Sequence, residues 1–105
     1  MNDKQKSRET LPIFNKIRTW SNDNGLFESG DAKTQTVKLT EEVGELARAL
    51  LRNKENDVKD AIGDIVIVLT NLAYMRRLLI EDCIEDAYYE IKDREGQIVD
   101  GNFIK

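Results

Sequence analysis

Two groups of acidic residues are spaced for joint chemistry. Glu41, Glu42 and Glu45 stand in the run Glu-Glu-Val-Gly-Glu, and Asp57, Asp60 and Asp64 follow at intervals of three and four. On a helix, residues three or four apart share a face, so each group would project its carboxylates from adjoining surface. Like charges so placed repel by roughly 0.2–0.5 kcal/mol per pair. A solvated helix face accounts for most charge runs. Asp64, however, directly precedes Ile65-Val66-Ile67-Val68-Leu69, the most apolar run in the chain. A carboxylate at the border of a buried seam is costly unless a cation compensates it. Two sources of that cation are open. If the two acidic helices pack antiparallel, their carboxylates converge into an all-oxygen site suited to Mg²⁺ or Mn²⁺. Otherwise Arg48, Arg52 or Lys59 neutralises them from within the chain.

The elements that must position these acids read as helices. The only proline is Pro12, so the strongest helix breaker is missing from the rest of the chain. Over residues 7–22, Leu11, Phe14, Ile17 and Trp20 or Ser21 recur at helical spacing, and Asn24-Gly25 offers a left-handed exit. Residues 26–31 read as a loop, closed by Asp31 as N-cap of the next helix. That helix, 32–53, carries an apolar stripe of Leu39, Val43, Leu46 and Leu50, widened by Ala47, which sets Glu42 and Glu45 at the stripe's edge. The β-branched run 65–69 alone would suit a strand. Because no Gly or Pro interrupts residues 64–95, a helix over 55–77 is preferred. After a tight turn at 78–80, a last helix over 81–95 is amphipathic through Ile84, Ala87, Tyr88 and Ile91 and ends at Gly96. The tail from Gln97 onward, with Ile98, Val99, Phe103 and Ile104, is expected to pack in extended form against a neighbouring surface. The fold class is all-α, a four-to-five-helix bundle in one domain over 1–105, with a helical core at 7–95 and a tail at 96–105.

Composition removes several function classes. The 105 residues carry a formal net charge of −4, which argues against a nucleic acid polymer as partner. There is no histidine, so Ser-His-Asp triads, Cys-His pairs and histidine zinc sites are excluded. One cysteine, Cys83, forms no intrachain disulfide and fits the reducing cytoplasm. No segment approaches the ~20 apolar residues that cross a bilayer, and the N-terminal residues lack a signal-peptide core. A chain this short, with one helix apolar on most of its circumference, leaves much apolar surface for a second copy to cover.

At the acidic residues the chain resembles the MazG-like nucleoside triphosphate pyrophosphohydrolases, an all-α superfamily marked by Glu-Glu-x-x-Glu followed further along by Glu-x-x-Asp. Glu41-Glu42-Val43-Gly44-Glu45 matches the first half, and Gly63-Asp64 is similar to the second. Trp20, the segment 25–31, Gln35 and Lys38 resemble the family's lead-in. The chain departs at Ala61, where the family has Glu, and Asp60 stands one residue earlier. The resemblance implies hydrolysis of an NTP or dNTP between the α- and β-phosphates to NMP and pyrophosphate. It implies Mg²⁺, with Mn²⁺ as a substitute, held by Glu42, Glu45 and Asp64 with Asp60 as a replacement ligand, and Glu41 backing them or orienting the attacking water. Lys38, Lys92 and Arg94 would contact phosphates and Trp20 would stack on the base. A homodimer or homotetramer is implied as well. From another class, a non-catalytic helical interaction module with a degenerate metal site is the alternative that Ala61 keeps open.

Overall fold

A computed structural model describes residues 12–105; Leu11 and the predicted first turns of the opening helix lie outside the described residues. Five helices and a short hairpin follow in order: α1 (Ile13–Asp23), α2 (Leu26–Ser29), α3 (Ala32–Leu51), α4 (Glu55–Met75), α5 (Ile80–Ile91), β1 (Gln97–Val99) and β2 (Asn102–Ile104). The β-branched run lies inside α4, so length and the lack of breakers outweigh strand propensity there.

Local chemistry sets the boundaries. Gly25, at φ 79°, supplies the left-handed step that ends α1. The next four residues wind into α2, where a loop is predicted, and Phe27 packs its ring 4.6 Å from that of Tyr74 at the end of α4. Asp31 caps α3 as expected, its carboxylate accepting from the Thr34 backbone N–H at 2.7 Å. α5 stops at Ile91, short of the predicted 95.

The frame is the antiparallel pair α3–α4, joined by three residues and sharing the most extensive contact in the chain. α1 lies across α4 through a polar clasp: the Ser21 hydroxyl donates to Asn71 Oδ1 at 2.7 Å, wholly buried. Arg18 reaches in the other direction. Its guanidinium donates to both carboxylate oxygens of Glu81, each at 2.7 Å, and to Asn15 Oδ1, tying α1 to the first turn of α5.

Two expectations are corrected. The tail does not pack extended against another element; it folds back on itself, with Ile98 paired to Phe103 around an Asp100-Gly101 turn in which both residues have positive φ. Asp-Gly between apolar residues is a strong hairpin signal, and it overrides the extended reading. The buried face of α3 is also rotated from the apolar stripe. Gln35, Glu42 and Ala49, seven residues apart, point inward, while Val43 and Leu50 are exposed on the single chain. A helix that turns Gln and Glu inward and Val and Leu outward breaks the binary pattern where function is to be sought.

Candidate active site

α3 and α4 run antiparallel, so residues near the end of α3 face those near the start of α4. That return of the chain creates a groove of about 520 Å³ lined by Glu45, Asp57, Asp60 and Asp64 on the acidic side and Arg48, Arg52 and Lys54 on the basic side. Its floor is Ala49 and Ala61, both buried. Small side chains at these two positions let the helices approach and leave the groove open above them. Ala61, 4% exposed, thus stands in the groove that Asp60 also lines.

Beyond Asp64 the two helices and α1 enclose a second cavity, of about 810 Å³, mostly apolar. Ile17, Leu26, Ile67 and Val68 supply apolar wall, Trp20 stands at its edge at 62% exposure, and Lys38, Gln35 and Asn71 add polar groups. Asp64 lines both spaces and joins them.

The predicted site residues divide accordingly. Glu45, Asp60 and Asp64 share the groove; Trp20, Lys38 and Asp64 share the cavity. Glu42 lies on the inward face of α3 at 8% exposure, with Lys38 Nζ 3.6 Å from its Oε1. Its Oε2 is buried without a hydrogen-bond partner. Glu41 is exposed and lines neither space. Lys92 and Arg94 lie past the end of α5, where Lys92 Nζ pairs with Asp93 at 3.0 Å, and neither lines groove or cavity. Trp20 is not a core side chain; Ser21 takes the inward position on α1.

Internal neutralisation is limited to Lys38 beside Glu42: among the described residues, Arg48, Arg52 and Lys59 form no ion pair with the acids. The donor set is hard oxygen throughout, and the orphaned Glu42 Oε2 is a buried anionic atom in want of a cation, so these residues suit Mg²⁺ or Mn²⁺. Among the described residues no three acids already stand at metal-holding spacing. Sequence reasoning passed over Lys54. It is the N-cap residue of α4, three before Asp57, and only the antiparallel return brings it to Glu45.

Ala61→Glu restores the missing carboxylate on the groove. It is expected to tighten Mg²⁺ binding by about tenfold or more, measured by calorimetry, as one added ionised oxygen ligand should. Unchanged affinity would assign that role to Asp60.

The model of the MazG nucleotide pyrophosphohydrolase domain matches residues 31–99, which includes all of α3, α4 and α5. The chain belongs to this family. It is also 38% identical over 61 residues to an uncharacterized 18.2 kDa protein in the rep-hol intergenic region of Haemophilus phage HP1 (strain HP1c1); the match covers 58% of this chain and 37% of that protein. No solved structure matches it.

Proposed function

We propose that this chain hydrolyses a nucleoside triphosphate between the α- and β-phosphates, giving the monophosphate and pyrophosphate. One observation carries the reading: Asp64 stands where an acid- and cation-lined groove meets an apolar cavity edged by tryptophan. A nucleotide has that polarity, charged at one end and flat and aromatic at the other. Trp20 offers a face for the base, a stacking contact worth about 1–3 kcal/mol. Lys38, on the cavity wall beside Glu42, is placed for the phosphate nearest the sugar. Arg48, Arg52 and Lys54 replace Lys92 and Arg94 as the cations for the outer phosphates, since they line the groove.

Glu42, Glu45 and Asp64 would hold the divalent ion, with Asp60 in place of the family's Glu. The bound ion neutralises charge on the phosphate oxygens and lowers the pKa of water. Glu41, which lines neither space, would back these ligands from outside the group. Nothing in the scheme needs histidine.

We infer also that two or more copies assemble. Val43 and Leu50 on α3 and Ile84, Tyr88 and Ile91 on α5 are exposed on one chain. Its radius of gyration, 16.8 Å, exceeds the about 13 Å of a compact chain of this length. Among the described residues no helix is long and apolar enough to cross a membrane. Cys83, free and exposed, suits the cytoplasm.

Purified protein incubated with NTPs and dNTPs plus Mg²⁺ is expected to release NMP and pyrophosphate. Two orthophosphates in place of pyrophosphate would refute cleavage at the α–β bond. The second reading, a helical interaction module without catalysis, is favoured by Ala61 and by the lack of a ready three-acid cluster among the described residues. Thermal melting separates the two. A metal that binds only the folded state must raise its stability, by about 2.7 kcal/mol at a hundred times its dissociation constant. No shift in saturating Mg²⁺ or Mn²⁺ would favour the module.

A further inference from the structure

Resting on the nucleotide reading of the cavity, we propose that Asn71 and Gln35 select lactam bases, uracil, thymine, guanine and hypoxanthine, over the amino bases cytosine and adenine. Asn71 is 3% exposed, and its Oδ1 is occupied by the Ser21 hydroxyl at 2.7 Å. With Oδ1 turned to Ser21, the other end of the amide is the one left for the cavity. The Ser21 hydroxyl donates, so Oδ1 is the acceptor turned to α1, and the Nδ2 donor is left over.

Nδ2 has no hydrogen-bond partner among the described residues. It is also not among the fully enclosed unpartnered atoms, of which Glu42 Oε2 is the one described, so it is reachable from outside. The space against Asn71 is the Trp20 cavity. A buried donor held in one orientation costs free energy unless a ligand accepts from it.

Gln35 lines the same cavity at 7% exposure and makes no side-chain hydrogen bond among the described residues. Its amide is not clasped, so it presents whichever end the ligand requires. With Asn71 donating to a ring carbonyl, Gln35 accepts from the ring N–H beside it. Uracil, thymine, guanine and hypoxanthine carry that carbonyl next to an N–H; cytosine and adenine carry an amino group next to an unprotonated nitrogen, the reverse pattern. A donor facing an amino group leaves both unpaired. Ser21 is therefore a positioning residue, acting through Asn71.

The single tryptophan, Trp20, reports on the cavity. Titrating the protein with UMP, CMP, GMP and AMP while following its fluorescence should show UMP bound at least about tenfold tighter than CMP, and GMP than AMP. Asn71→Asp keeps an acceptor for Ser21 and turns an acceptor to the cavity; the order should reverse. Ser21→Ala frees the amide to flip, and the ratios should fall towards one. Equal affinities in the native protein, an unreversed order in Asn71→Asp, or no response of Trp20 to any monophosphate overturns the proposal. A purely structural Ser21–Asn71 bond would weaken all four nucleotides alike and leave the ratios unchanged, which also overturns it. Base-selective binding without NTP turnover sinks the hydrolytic reading alone, whereas turnover without base preference sinks this inference alone.

Discussion

Asp64→Asn and Glu45→Gln are each expected to lower formation of NMP and pyrophosphate on the order of 10²–10³-fold, with helical content by circular dichroism unchanged. Both side chains are exposed on the groove wall, and neither supports the fold through an ion pair among the described residues. Each substitution removes a charge and keeps the shape. Turnover near the native rate in Asp64→Asn would end the assignment of the site to this groove, because Asp64 is the residue that joins groove to cavity. Glu42→Gln separates stability from activity in a sharper way. Its Oε2 is buried and unpartnered while Lys38, itself largely exposed, stands 3.6 Å from Oε1, so neutralising the side chain removes a desolvation cost larger than that screened pair gives back. The variant should melt higher and turn over more slowly, whereas a lower melting temperature would show that the charge is compensated in the folded chain.

Arg18→Met is expected to lower the melting temperature by about 5–10 °C, equivalent to about 1–2 kcal/mol. The figure sits low in the range for charge-assisted pairs because Glu81 keeps contact with solvent, which screens it. The hydrogen bonds from Arg18 hold the Glu81 carboxyl below its ordinary range. As the pH falls, the unfolded chain takes up that proton first. The pair's contribution is whole above the ordinary glutamate range and is lost as the pH drops through the lower native pKa. Arg18→Met should therefore flatten the acid side of the stability profile; an unchanged slope in urea titrations between neutral and acidic pH would count against the pair.

Much of this arrangement was legible in the residues, and where it was not, the reason is physical. Asp31 capping α3 and Gly25 ending α1 follow from short-range rules that tertiary context left alone. The α4 helix was decided by length over β-branched propensity. The orientation of α3 was not legible: an apolar stripe marks a surface to be covered, without saying whether the cover is the same chain or another copy. Here the chain keeps Gln35 and Glu42 for its own interior and leaves Val43 and Leu50 outside. The acids of the groove were found by spacing on one helix at a time. Lys54 was not, since it stands at the N-terminal edge of α4 and meets Glu45 only after the chain reverses. The hairpin departs from the expected extended tail because Asp100-Gly101 turns the chain back before it can reach another surface.

The way α1 is fastened has a bearing on how such a site admits its ligand. Two polar clasps fasten it, Ser21 on α4 and Arg18 on α5, and it packs on α4 less extensively than α3 does. Cooperative units with few apolar contacts open at lower cost than the global transition. On that ground α1, which bears Trp20, should open at lower cost than the α3–α4 pair, whose mutual packing keeps the acidic residues in register.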